Sequence, residues 1–227
     1  MLNNEMYRRL MEPEVFHQTR MAILRNYGIT VFIDGGANKG QFAQNIRLSG
    51  YNGRIISFEP ASAEFVQLAQ LAAPDPLWDC HKIALGAAEG YVNINLAGNS
   101  YSSSLLPMLD QHLISAPDSK YIGVETVRIG CLDNDCSELL PETDRVYLKL
   151  DLQGYEMEAL KGANNILKMT SAIEMELALV PLYSGQTLFT EMINFLAQFG
   201  FQLHYCEINF TDSVTGKILE LNGIFLQ

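Results

Sequence analysis

The run Val31-Phe32-Ile33-Asp34-Gly35-Gly36-Ala37-Asn38-Lys39-Gly40-Gln41-Phe42-Ala43 constrains this chain more than any other stretch. It reads as a short apolar strand, an acid at its carboxyl end, a glycine-rich turn and the first turn of a helix. Glycines there let the backbone approach a ligand that a side chain would block. The helix start adds free N–H groups and a partial positive charge. Such a corner belongs to an open α/β sheet, at the point where strand order reverses and ligands settle. The spacing is not Gly-x-Gly-x-x-Gly, because Ala stands at position 37.

The rest of the chain continues the alternation. Residues 5–27 carry apolar stripes (Met11, Val15, Ala22 and Phe16, Ile23, Tyr27) and predict an N-terminal helical cap over 1–30. Further strands are expected at Arg54–Pro60, Trp78–Leu85, Arg145–Leu150 and Ala172–Val180, with helices after the second, fourth and fifth strands. Tyr91–Leu96 and Glu125–Leu132 read as an antiparallel excursion around a serine-rich connection over 98–124. Two closing strands, Gln202–Ile208 and Leu219–Leu226, flank a short turn and require an antiparallel edge. This predicts one α/β domain over 31–227, a Rossmann-like three-layer sandwich. Its seven-stranded sheet is mostly parallel, with a reversed C-terminal strand.

Composition narrows the function classes. With 15 basic and 26 acidic residues the formal charge is 15 − 26 = −11, and no basic run exists. Nucleic acid and an anionic membrane surface are therefore poor partners, and a neutral or cationic small molecule is a good one. The four cysteines show no Cys-x-x-Cys spacing, which suits reduced thiols and a cytoplasmic protein. No apolar run is long enough to span a bilayer. Oligomeric state is left open by the sequence.

Glu59, at the end of the second strand, is placed to accept both hydroxyls of a ribose, whether the cofactor is NAD or S-adenosylmethionine. A pyrophosphate would be repelled by Asp34, whereas a ligand carrying an ammonium and a sulfonium would be attracted. Lys149 and Asp151 share one face of the fourth strand, and Glu174 and Glu176 share one face of the fifth. So many buried ionisable groups must pair, and a Lys149–Glu176 ion pair is the expected arrangement. Asp151, at the carboxyl edge, is the first candidate for the general base, with a desolvated Lys149 or the loop residue His112 as alternatives. Tyr183 is a candidate acceptor contact. Asp151 and Glu176 could take magnesium, but no ligand spacing compels a metal.

Several segments together resemble the FkbM family of methyltransferases: Ile33–Phe42, Ser57-Phe58-Glu59-Pro60, Ala84-Leu85-Gly86, Ser103-Ser104-Leu105, Leu148–Glu156, Leu160-Lys161-Gly162-Ala163, Glu176–Tyr183 and Phe199-Gly200-Phe201. The resemblance covers nearly the whole chain from about residue 20. It departs at Gly35, where the family more often has Val, and at Gln153, where it often has Glu. It implies a class I fold, S-adenosylmethionine as cofactor and O-methylation of a sugar, glycan or secondary-metabolite hydroxyl. It further implies that the segment Asp34, Gly35, Gly36, Ala37, Asn38, Gly40 and Gln41 holds the methionine moiety. Glu59 with Pro60 would take the ribose, Ala84 and Leu85 the adenine, and Ser103 and Ser104 the cofactor or acceptor side. An Asn/Asp-Pro-Pro-aromatic turn for nucleobase or amine methylation is missing after the fourth strand. Two other readings stand beside this one: a nicotinamide-dependent oxidoreductase, and a degenerate methyltransferase fold serving as a binding module.

Overall fold

The computed structural model of the chain describes residues 13–136, 140, 141 and 143–227. In chain order the elements are α1 (Pro13–Asn26), β1 (Val31–Gly35), α2 (Gln41–Leu48), β2 (Arg54–Phe58), α3 (Ser62–Ala72), β3 (Trp78–His81) and β4 (Ala84–Leu85). They continue as β5 (Gly90–Ala97), α4 (Asp110–Ser115), β6 (Tyr121–Gly130), α5 (Leu132–Cys136), β7 (Val146–Leu150), α6 (Glu156–Lys161) and α7 (Asn164–Met169). β8 (Thr170–Ala178), α8 (Phe189–Gln198), β9 (Gln202–Thr211) and β10 (Ile218–Leu226) close the chain.

The main sheet has seven strands in the order β3-β2-β1-β7-β8-β10-β9. β1 pairs in parallel with β2 on one side and β7 on the other, so the chain's direction of travel across the sheet reverses between them. β10 runs antiparallel to both β8 and β9. The expected reversed C-terminal strand is therefore present.

Both faces of the central strands are covered, which is why those strands read as continuous apolar runs. Val31 and Ile33 turn to the face that carries Leu148, Leu150, Ile173 and Met175, under α6, α7 and α8. Phe32 and Tyr147 turn the other way, against Phe16 and Ile23 of α1 and Ala43 and Ile46 of α2. On that second face the apolar residues give way to charge toward the strands' carboxyl ends: Phe32 is followed by Asp34, Tyr147 by Lys149, and Ala172 by Glu174.

Three expectations are corrected. Trp78–Leu85 is two strands, because Ile83 N–H turns back to the His81 carbonyl at 3.1 Å. Ala84 and Leu85 then join a separate three-stranded sheet, β4-β6-β5, in register with Ile129 and Gly130. The serine-rich connection contains α4, and a further helix, α7, precedes β8. The part of the expected N-terminal helix over 5–12, Met11 included, lies outside the described residues. Among the described residues no helix is long and apolar enough to cross a membrane.

Candidate active site

The carboxyl ends of β1, β2, β4 and β7 surround a cavity of about 280 Å³. Its floor is the glycine loop. Gly36 adopts φ +74°, and a Cβ there would meet the Asp151 carbonyl oxygen at 1.8 Å, so only glycine lets β1's loop lie against the end of β7. Gly36 and Ala37 donate their N–H groups to the Phe58 carbonyl at 3.0 Å each, locking the loop to β2. Gly36, Ala37, Asn38 and Gln41 thus form one wall.

Glu59 and Pro60 form the next wall. The Glu59 carboxylate accepts the Asn38 N–H on Oε2 and the Ala61 N–H on Oε1, both at 2.8 Å. Burial pushes its pKa up to about 7, against the pull of these two amides. Ala84 and Leu85, with Phe58, Ile83 and Ile94, make an apolar slot beside it. Ser103 and Ser104 close the far side; Ser104 Oγ donates to the Gln153 carbonyl at 2.7 Å.

Lys149 and Asp151 line this cavity and also a second one of about 290 Å³ on the α1 face of the sheet. Phe42 is the third residue common to both. The second cavity is lined by Glu176, Glu207, Asn209 and Asn222 from three adjacent strands, with Phe16 and Arg20 of α1 above. Asn209 Nδ2 donates to Glu176 Oε1 at 2.7 Å, and Asn222 Nδ2 to Glu207 Oε1 at 3.1 Å.

The buried charges pair along the register of the sheet. Asp34 lies opposite Lys149, and Lys149 opposite Glu174. Lys149 Nζ donates to Asp34 Oδ1 at 3.1 Å and stands 3.7 Å from Asp151 Oδ2. Burial works against the ammonium, but Asp34 and Asp151 outweigh it and hold Lys149 charged. Glu174 is taken by Arg20, through Nε and Nη2 at 2.6 Å each, and by the Tyr147 hydroxyl at 2.6 Å. The expected Lys149–Glu176 pair is therefore not formed: Glu176 accepts from Asn209 and from Gln153 Nε2 at 2.7 Å.

Several expected site residues stand off the first cavity's wall. Asp34 is fully buried below the glycine loop, and its Oδ2 has no hydrogen-bond partner among the described residues. Gly35 is the last residue of β1, and Gly40 packs against Leu68 and Trp78 at the start of α2. Glu176 faces the second cavity alone. His112 is buried against Tyr183 and Phe210, and burial pushes its pKa down. Tyr183 is buried as well; its hydroxyl donates to Gln153 Oε1 at 2.6 Å, one residue removed from the wall. The loop at 181–187 therefore supports the site without lining it. Among the described residues no group of three or more His, Cys, Asp or Glu side chains could hold a metal ion.

Arg20, Gln153, Asn209 and Asn222 were not expected. Gln153 lies within the family-like segment Leu148–Glu156, and Arg20 carries a readable signal of its own, since Phe16, Arg20 and Ile23 fall at i, i+4 and i+7 on the apolar stripe of α1.

Strand order, the reversed β10 and a cavity over the β1 loop define a class I methyltransferase fold. The bifunctional kinase–methyltransferase WbdD has it too: its structure aligns with a TM-score of 0.52 at 12% identity, over 96% of this chain and 38% of that one. The chain belongs to the FkbM methyltransferase family, whose domain model matches residues 34–203. The FkbM methyltransferase of Methylobacillus flagellatus aligns over 93% of this chain with 14% identity and a TM-score of 0.49. This chain spans half the length of that protein. The S-adenosylmethionine-bound magnesium protoporphyrin IX methyltransferase of Synechocystis aligns over 94% of this chain and 79% of its own, with 10% identity and a TM-score of 0.48. No curated protein sequence matches the chain.

Proposed function

We propose that this protein is an S-adenosylmethionine-dependent O-methyltransferase acting on a hydroxyl of a sugar, glycan or secondary metabolite. The single observation that carries the reading is the meeting of two cavities at Asp151: one suited to a nucleoside, the other polar and open to an acceptor. The residues present fit the cofactor. The Gly36–Asn38 backbone would take the methionine end, Glu59 the ribose hydroxyls, and the slot at Ala84 and Leu85 the adenine. When bound, S-adenosylmethionine supplies an electrophilic methyl group on a sulfonium leaving group. Asp151 accepts the proton of the acceptor hydroxyl, and Lys149, held charged between two acids, steadies that carboxylate instead of acting as base. The second cavity takes the acceptor, with Glu176, Asn209 and Asn222 as hydrogen-bond partners for its other hydroxyls. A net charge of −11 supports a small-molecule acceptor over nucleic acid or a membrane surface, and a cytoplasmic setting suits the free cysteines.

A thermal-shift titration tests the cofactor. S-adenosylhomocysteine should raise the melting temperature, and NAD should not. The ribose hydroxyls need Glu59 ionised, and its pKa near 7 means that fewer molecules are ready as pH falls. Affinity for S-adenosylhomocysteine should therefore drop about tenfold from pH 8 to pH 6, and Glu59→Gln should flatten that dependence. Stabilisation by NAD alone would remove the reading. Labelled donor incubated with a panel of glycans tests the acceptor class.

A further inference from the structure

We infer that Gln153 is the positioning residue of the catalytic carboxylate, and that it serves because it is an amide and not an acid. The inference rests on Asp151 as the base.

Gln153 follows β7 by three residues in a left-handed backbone conformation, φ +52°, ahead of Gly154 at φ +96°. A non-glycine residue held there is under constraint from its surroundings. Those surroundings are visible. Ser104 Oγ donates to its carbonyl, and the N–H groups of Leu152 and Gly154 on either side donate to Glu156 Oε1 at 2.8 and 3.2 Å. The turn thus delivers the side chain to one place, between Asp151 and Glu176.

The amide's orientation is determined by its partners. The Tyr183 hydroxyl donates to Oε1 at 2.6 Å, and burial keeps that phenol protonated. Nε2 is consequently turned to the acids, donating to Asp151 Oδ1 at 2.9 Å and Glu176 Oε2 at 2.7 Å. Both amide hydrogens are used, one on each carboxylate. Asp151 is then fixed on Oδ1 by Gln153, with Lys149 near Oδ2.

An acid at 153 would invert this. It would put a third carboxyl within hydrogen-bond distance of two others, and such groups share protons instead of ionising together. The setting is already acid-rich: Asp151 is faced by Lys149 of its own strand, Asp34 of β1, Glu176 of β8, Glu220 of β10, Glu156 of α6 and Tyr183. Lys149 is the single cation in that set, and Asp34 already claims it.

The test is Gln153→Glu, read in two ways. Carboxyl 13C NMR of aspartate-labelled, cofactor-free protein, with Asp151 assigned through Asp151→Asn, should show the Asp151 midpoint at least one pH unit higher than in the wild type. The acid limb of the kcat–pH profile should move by the same amount, with kcat recovering to within a few fold above it. An added carboxylate shifts Asp151 by charge alone, so the amide's own role is read in Gln153→Leu, which adds none. Loss of the donor should raise the Asp151 midpoint and the acid limb there too, and coincidence of both with the wild type overturns the proposal. Tyr183→Phe keeps the amide but removes its orienting donor; it should cost kcat roughly three- to tenfold at unchanged acceptor KM. Wild-type kcat in both Tyr183→Phe and Gln153→Leu also overturns it. Should the wild type transfer no methyl group at all, the functional reading fails. The NMR midpoint then decides only whether Gln153 holds the Asp151 carboxylate.

Discussion

Asp151→Asn is expected to lower kcat by about 10²–10⁴, the usual contribution of a positioned general base, while S-adenosylhomocysteine binds within a few fold of the wild type. The substitution keeps shape and one acceptor oxygen, so the Gln153 Nε2 contact can persist. What it removes is the capacity to take a proton. No neighbour can replace it. Lys149 is held charged by Asp34 and Asp151 and has no lone pair to offer. His112 is buried behind Tyr183 and off both cavity walls. Glu176 reaches only the second cavity, and both its oxygens are already engaged, Oε1 by Asn209 and Oε2 by Gln153. Glu176→Gln should accordingly be milder, acting on acceptor KM more than on kcat. Full turnover in Asp151→Asn with cofactor binding intact would show that alignment alone drives the transfer.

Much of this geometry was legible because it depends on local chemistry. Three apolar residues running into Asp-Gly-Gly can be a buried parallel strand feeding a tight loop and little else, and β1 is that strand. The same holds for β7, whose last residues deliver Asp151 to the carboxyl edge. The closing pair β9–β10 followed from two apolar runs joined by a turn too short for a parallel crossover. Partner choice was not legible. Period-2 alternation places Lys149, Asp151, Glu174 and Glu176 on one face, yet says nothing about which of two neighbouring strands supplies the counter-charge. The register decides it: Asp34, Lys149 and Glu174 form a row across β1, β7 and β8, and Arg20 from a helix more than a hundred residues away claims Glu174. The division of Trp78–Leu85 was hidden for a similar reason. Ala84 and Leu85 are as apolar as a continuing strand, but Ile129 and Gly130 capture them for the small sheet.

Arg20→Met is expected to destabilise the fold by ~3–5 kcal/mol, because it strands a buried carboxylate. Glu174 is almost inaccessible to solvent, and both its oxygens depend on the guanidinium, with Tyr147 adding a bond to only one of them. Arg20 also lies over the rings of Phe16 at 5.0 Å and Phe42 at 4.6 Å, a contact that methionine can partly fill. The lost term is therefore electrostatic more than steric. At roughly 2–4 °C per kcal/mol for a chain of this size, the melting temperature should fall by about 6–20 °C. The double variant Arg20→Met/Glu174→Met removes both charges and should recover most of the loss, since a buried pair replaced by apolar groups is often near neutral. Equal melting temperatures for the single and double variants would mean that Arg20 acts through its packing on Phe16 and Phe42. The pair also bears on activity. Arg20 lines the second cavity and not the first, so loosening α1 should raise acceptor KM in the single variant while binding of S-adenosylhomocysteine stays close to wild type.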